Sequence, residues 1–460
     1  MKNKSHIVYS VIIIFILCPV ALYGKNLSSS VQQVPVWGIF EENVKHDHGY
    51  ADPFRDVTLN VNFTAPDGET IAFWGFYDRE NNWKIRYMPD RKGSWSYVFN
   101  FSDDSKSGEG RFEVTESDIP GLIGEDLVNP SWFGFRSGKH AVIRSFHAGD
   151  RFFAANWPTD KRTVFLDWAQ AQGYNMLSAA SFFLNRNVEG RGKGWETPAL
   201  WDQQSNAPNS EAYHQAESIL DELSARNMMV YPFAGFFGQS SDFPRNADDQ
   251  ELYIRYSIAR LGAYWNLLYN VAGPEPLWRP DAFNNQMPAS EVIRLGKLIK
   301  DLDPYSHIIS VHNETGTDPF RHEDWHGYVT LQGGKEKPEP SVYNYIEHQG
   351  MVNKPVYAQE VFWPGNMYHS CPCTDPEEIR KKAFLLLFAG AAINFADMDG
   401  NSTSGFSGSL EPEQINQERH DAIRNAWDWF ESIPYYRMKP KKRMARTSQS
   451  VAAAVYPWFP

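Results

Sequence analysis

Glu275 and Glu360 are the two residues of this chain whose type and position could jointly break a bond. Glu275 stands in Ala272-Gly-Pro-Glu-Pro276, directly after the apolar run Trp265–Gly273. Glu360 ends Lys354-Pro-Val-Tyr-Ala-Gln-Glu360 and is followed by Val361-Phe-Trp363. Two carboxyl groups facing one bond are what glycoside hydrolysis needs: one protonates the leaving oxygen, the other attacks or activates water. A glutamate at an arbitrary strand end more often meets solvent or caps a turn. What separates these two is the apolar strand and trailing aromatics around Glu360, and the prolines on either side of Glu275. Asp397 is the main rival as a second acid.

Such residues need a frame that brings strand ends together. After Gly149-Asp150, apolar strand-like runs alternate with amphipathic helical stretches, the signature of parallel βα units. Eight strands are predicted, at 151–156, 174–181, 228–234, 265–273, 307–313, 328–332, 355–360 and 392–397. Helices are predicted at 211–225, 250–261, 290–301, 376–389 and 417–431. Eight units over this length fit a (β/α)8 TIM barrel, an α/β fold spanning 140–435, whose functional groups gather at the C-terminal strand ends. No Gly-x-Gly-x-x-Gly follows the first strand, which excludes a dinucleotide fold, and no Gly-x-Ser-x-Gly elbow or phosphate loop is present.

That frame turns the other strand ends into candidates for gripping hydroxyls: Asn185, Arg186, Asn270, His312, Asn313, Gln332, Asp397 and Asp399. Trp157, Phe236 and Trp363 are candidate platforms on which sugar rings would stack. Each has a structural reading beside the functional one. His312 could ligate a metal, but no paired His or Cys at ligand spacing accompanies it, so no metal is expected. The sixteen Trp of the chain suit a glycan cleft, though composition alone favours their simply filling a large core.

The 460 residues carry a formal charge of −12, which argues against nucleic acid as a partner, because phosphate binding needs clustered Lys and Arg. At the N-terminus, Lys2 and Lys4 precede an apolar run from Ile7 to Leu22. With Gly24 behind it, this reads as a signal peptide over 1–24, too short for a membrane span. A lipid anchor at Cys18 is disfavoured by the bulky Leu17. Export is therefore expected, to the periplasm, the surface or the medium, with no span after signal removal. Cys371 and Cys373 could form a bridge across Pro372 or remain free thiols. Residues 25–33 read as a linker. From 34 to 116, short alternating strands separated by Pro66-Asp-Gly68 and similar turns predict an N-terminal antiparallel β-sandwich domain. Residues 120–148 read as a connector. Residues 436–460 read as an irregular tail, suggesting a truncated end.

The stretch Ala51-Asp-Pro-Phe-Arg-Asp-Val57, with Gly75-Phe-Tyr-Asp78, Trp83-Lys-Ile-Arg86 and Gly93-Ser-Trp-Ser-Tyr97, resembles the β-sandwich module of unknown function that precedes many bacterial glycosidase barrels. The barrel resembles the apiosidase-like group and its relatives in clan A of the glycoside hydrolases. The motifs Asn270-Val-Ala-Gly-Pro-Glu275 and Tyr357-Ala-Gln-Glu360 carry that likeness. It implies a retaining mechanism without a cofactor, Glu275 ending strand four as acid/base and Glu360 ending strand seven as nucleophile. It implies a plant or algal polysaccharide, or an oligosaccharide from one, as substrate. The chain departs from the pattern at Pro274, where clan A commonly has Asn. It also has Glu275 where apiosidase-like barrels usually have Asp, and no small C-terminal β-domain is read. Two other functions fit the same residues. A non-catalytic glycan-binding barrel would keep the aromatic cleft, and a polysaccharide lyase would release unsaturated sugars.

Overall fold

The computed structural model describes residues 31–149, 152–179, 196, 198–232, 243–273, 275–277, 286–313, 318–331, 352–362, 375–395, 412 and 416–439, the side chains of 360–362 excepted. The first eight strands are β1 (Gln32–Pro35), β2 (Phe40–Lys45), β3 (Leu59–Thr64), β4 (Thr70–Trp74), β5 (Phe76–Arg79), β6 (Asn82–Tyr87), β7 (Gly93–Phe101) and β8 (Ser107–Thr115). They form a five-stranded sheet, β1-β8-β7-β3-β4, and a three-stranded sheet, β2-β6-β5. Period-two alternation in β3 turns Leu59, Val61 and Phe63 inward. Across the gap Phe63 stacks on Tyr87 with ring centroids 4.3 Å apart, and Phe40 stacks on Phe112 at 4.0 Å.

Two sequence expectations are corrected here. Residues 32–33, read as linker, open β1, which pairs parallel with β8, so the larger sheet is not wholly antiparallel. The run 71–77, read as one strand, is two strands in different sheets, broken at Gly75. A Cβ there would lie 2.5 Å from both Leu59 Cδ2 and the Lys84 carbonyl oxygen, so only glycine allows the chain to cross between the sheets.

A short antiparallel pair, β9 (Ile123–Glu125) and β10 (Phe133–Phe135), leads into the parallel layer. Its strands are β11 (Arg144–Gly149), β12 (Met176–Ala179), β15 (Met229–Pro232), β16 (Tyr269–Asn270), β17 (Ile309–Ser310), β18 (Val329–Leu331), β19 (Val356–Phe362) and β20 (Ala391–Phe395). Between β12 and β15 lies a small hairpin, β13 (Trp201–Asp202) and β14 (Ala207–Pro208). The helices are α1 (Thr159–Ala171), α2 (Ser210–Ser224), α3 (Ala247–Leu261), α4 (Ala289–Leu302), α5 (Pro376–Phe388) and α6 (Gln417–Glu431). Asn209, Asn246, Asp375 and Asn416 cap α2, α3, α5 and α6 by accepting first-turn N–H groups, which fixes where each connection from a strand end becomes helix.

Six strands pair in the order β15-β12-β11-β20-β19-β18, with all pairings parallel. β16 and β17 pair with each other, and single parallel bridges join Val230 to Leu267 and Ile309 to His326.

The first parallel strand is Arg144–Gly149, not 151–156 as expected, and 152–157 form turns before α1. The physical reason is the pattern of β11. Phe146 and Ala148 pack outward, Phe146 against Phe165, Trp168 and Tyr174. Its alternate residues Ser145 and His147 are polar and buried, so the strand lacks the continuous apolar run that marks a buried parallel strand.

Candidate active site

Polar side chains at alternate positions of the parallel strands are fully buried and bonded to one another. Ser145 Oγ on β11 donates to Asn394 Oδ1 on β20 at 2.8 Å and lies 2.8 Å from the Tyr357 hydroxyl on β19. Gln359 on β19 donates to Ser178 Oγ on β12 at 2.9 Å, and Asn394 donates to the Gln359 carbonyl at 2.8 Å. Ser310 on β17 meets Thr330 on β18 at 2.8 Å. Tyr231 on β15 sits edge-on to Tyr357 at 4.9 Å. A low-dielectric interior crossed by satisfied hydrogen bonds fixes the strand ends against one another, and an active site needs that rigidity.

Glu275 is placed by a second chain of contacts. Asn270 at the end of β16 donates to the Pro232 carbonyl at the end of β15, at 3.1 Å. Its Oδ1 accepts the backbone N–H of His312 at 3.0 Å, and the His312 carbonyl accepts the N–H of Glu275 at 2.7 Å. Glu275 is 4 % exposed and takes φ +54°, as does Ala272 three residues earlier. Non-glycine residues seldom adopt this left-handed conformation, which persists only where the surroundings over-determine it. Here the Asn270–His312 brace over-determines it. The side chain of Asn270, a sequence candidate for substrate contact, joins three strand ends. Asn270→Ala would leave a buried carbonyl and a buried N–H without this partner. We expect a loss of about 1–3 kcal/mol, read as a lower urea midpoint at unchanged slope.

The structure thus brings together four of the sequence candidates, Asn270, Glu275, His312 and Asn313, all buried beside the ends of β16 and β17. Asn313 donates to the Val311 carbonyl at 3.1 Å. Trp157 lies elsewhere. It is 2 % exposed and packed in an aromatic layer with Phe152 and Phe165, with the Arg162 guanidinium 5.5 Å from its ring. This packing places Trp157, a sequence candidate for a stacking platform, among buried aromatics. Its cause is the earlier end of β11, which puts Trp157 at the start of α1 and not at a strand end.

The backbone of Glu360 lies in β19, where pairing with β20 shifts register between Ala358 and Phe362. Asn185, Arg186, Phe236, Gln332, Trp363, Asp397 and Asp399, with Cys371, Cys373 and the terminal stretches 1–24 and 440–460, lie outside the described residues.

Sequence reasoning missed Ser145, His147, Ser178, Tyr231, Tyr357, Gln359 and Asn394. The available signal was a polar residue recurring every second position inside otherwise apolar strands, as in Tyr357-Ala-Gln359. Tyr328, beside this network, donates to the Tyr269 carbonyl at 3.1 Å. Burial pushes its hydroxyl well above the ordinary range, which holds it neutral. Among the described residues no helix is long and apolar enough to cross a membrane.

Residues 33–102 match a domain of unknown function, and residues 150–394 match the apiosidase-like catalytic domain. Among solved structures, the chain is similar to a protein from Bacteroides vulgatus ATCC 8482 assigned as a candidate glycoside hydrolase. That likeness has a TM-score of 0.70 and 20 % identity, and covers 88 % of this chain and 79 % of that one. It is also similar to a family 5 glycoside hydrolase from the same organism, with a TM-score of 0.51 and 14 % identity over 73 % of this chain and 78 % of that one. No curated protein matches. These likenesses identify the parallel layer as a TIM-barrel-like glycoside hydrolase fold. With the catalytic-domain match spanning more than half of its 460 residues, the chain belongs to the apiosidase-like family and is a glycosidase.

Proposed function

We propose that this glycosidase is a retaining enzyme in which Glu275 is the acid/base and Glu360 the nucleophile. Its substrate would be a plant or algal polysaccharide or a derived oligosaccharide. The observation that carries this reading is the buried brace from Asn270 through His312 to Glu275, which holds a carboxylate-bearing residue rigidly where β16 ends. The sheet pairings support closure of the eight strands into a (β/α)8 barrel behind a β-sandwich module. In such a barrel the ends of β16 and β19 share one mouth. A register shift in β19 beside position 360 suits the role, because bulges cluster next to active sites and re-aim side chains. In the retaining mechanism the two carboxyl groups would sit about 5 Å apart. We also propose that residues 1–24 direct export, a reading checked by N-terminal sequencing of the protein recovered from the medium or periplasm.

The direct test follows product stereochemistry by NMR during digestion of a panel of plant and algal polysaccharides and aryl glycosides. Net retention of anomeric configuration supports the proposal. Inversion would remove Glu360 as nucleophile, and ultraviolet-absorbing unsaturated products would make the enzyme a lyase. Tight glycan binding with no product from any substrate would favour a binding protein.

A further inference from the structure

The motif Ala51-Asp-Pro-Phe-Arg-Asp-Val57 lies far in sequence from the glutamates, and its geometry gives it work at the barrel. Asp52 and Asp56 lock the turn on itself. Asp52 Oδ1 accepts the Phe54 N–H at 3.0 Å, Asp56 Oδ2 accepts the Asp52 N–H at 2.8 Å, and Asp52 Oδ2 accepts Arg55 Nη1 at 2.9 Å. Phe54 is held edge-on by Tyr77 of the module at 5.3 Å and by Tyr256 of α3 at 5.5 Å. The turn therefore delivers the Arg55 guanidinium in one direction, toward the barrel.

Arg55 Nη2 donates to the Asn206 carbonyl at 2.7 Å and to Asp249 Oδ1 at 2.6 Å. Asn206, at φ +51°, also donates its side-chain N–H to Asp249 Oδ2 at 2.9 Å. The guanidinium carbon lies 5.9 Å from the Trp201 ring. Asn206 belongs to the β13–β14 hairpin in the connection from β12 to α2. Asp249 lies in the first turn of α3, where the connection from β15 ends. Both connections follow C-terminal strand ends. Ahead of the hairpin, the same connection reaches the turns after β11 through Glu196: Ala155 N–H donates to the Glu196 carbonyl at 2.7 Å, and Glu196 N–H to Asn156 Oδ1 at 3.0 Å. A hairpin with two residues per strand cannot order itself in water. Its order must come from outside: Trp201 packs against Tyr253 of α3, Asn206 is held by Asp249, and among the described residues of the N-terminal module Arg55 hydrogen-bonds to it.

We infer that Arg55 is a positioning residue through which the N-terminal module clamps one wall of the substrate cleft, so that the module takes part in substrate recognition. This rests on the reading that the cleft lies at the C-terminal strand ends. Arginine suits the place because its planar fork satisfies Asp52, Asp249 and the Asn206 carbonyl at once, which a lysine cannot do.

The test compares Arg55→Ala and Arg55→Lys with wild type by amide hydrogen exchange without substrate, thermal melting, and kinetics on whichever panel polysaccharide wild type cleaves. In Arg55→Ala, exchange should rise about tenfold or more in 198–208 and 243–250 alone, at an almost unchanged melting temperature. KM should rise about tenfold, the scale of one or two charge-assisted hydrogen bonds, with kcat within a few-fold. Arg55→Lys should fall between. Unchanged local exchange overturns the clamp whatever the kinetics show. Exchange that rises throughout, with a large fall in melting temperature, reduces Arg55 to a stabilising residue. A local rise with unchanged KM removes the module from recognition. The exchange arm is independent of catalysis, so a fully active Glu275→Gln would sink the site assignment and leave the clamp standing.

Discussion

Glu275→Gln is expected to lower kcat by about a hundred- to ten-thousand-fold, the usual contribution of a positioned general acid, while leaving the melting temperature unchanged. Glutamine keeps the shape of the side chain and the backbone brace to His312, so only the transferable proton is lost. The loss should depend on the leaving group. A substrate with an activated aryl leaving group needs no proton to depart, so its first step should be nearly normal and its second slow. Added azide should then restore turnover and yield a glycosyl azide of retained configuration. Glu360→Ala should cost on the order of ten-thousand-fold or more for every substrate. Azide should rescue it with inverted configuration, because the small anion would attack from the face the carboxylate had occupied. Two variants rescued with opposite stereochemistry would assign both roles at once. Identical stereochemistry, or no rescue of either, would refute the assignment.

Most parallel strands could be read from the sequence because they are buried on both sides, and a run such as Met228–Tyr231 announces itself by continuous apolarity. The misplaced first strand shows where that signal fails. Ser145 and His147 face a polar interior, so β11 looks less like a core strand than the neighbouring Phe152-Phe153-Ala154-Ala155, which forms turns. Chemistry and position in the sequence single out Glu275 as a candidate. Its brace was not legible, because Asn270, His312 and Pro232 lie on three strands and nothing local marks a contact between them. The same holds for Arg55, Asn206 and Asp249, whose partnership exists only once the module sits on the barrel. The β3 alternation was plain in sequence. The outer face of β6 was not, because Arg86 there is buried against a domain much later in the chain.

Arg86 belongs to the largest buried charge cluster described, and removing its central carboxylate should have the largest effect on stability. Glu217 of α2 accepts Arg86 Nη1 at 2.8 Å and Arg260 Nε at 2.6 Å through one oxygen, and Arg260 Nη2 at 3.0 Å through the other. Arg86 also donates to Glu41 at 2.8 Å, and Arg260 pairs with Asp78 at 2.9 Å, as does His214. Glu41, Asp78 and Arg86 come from the N-terminal module; His214 and Glu217 come from α2 and Arg260 from α3. Truncating one partner of a buried pair costs about 3–5 kcal/mol, because the charge left behind stays buried without compensation. Glu217→Ala abandons two arginines, so its melting temperature should fall by on the order of 10 °C. Calorimetry should show one transition for wild type and two for Glu217→Ala, as the module and the parallel layer lose their common anchor. The same carboxylate sets an acid limit. Burial alone would raise the Glu217 pKa, but hydrogen bonds from His214 and Arg260 and the charges of Arg86 and Arg260 hold it well below its ordinary 4.5. The unfolded chain therefore takes up this proton first as pH falls, so the stabilisation is complete above about 4.5 and drains away below it. Wild type should lose melting temperature steeply on acidification below that point, whereas Glu217→Gln should start lower and fall less. Parallel acid profiles for the two proteins would mean that the cluster does not join module to barrel energetically.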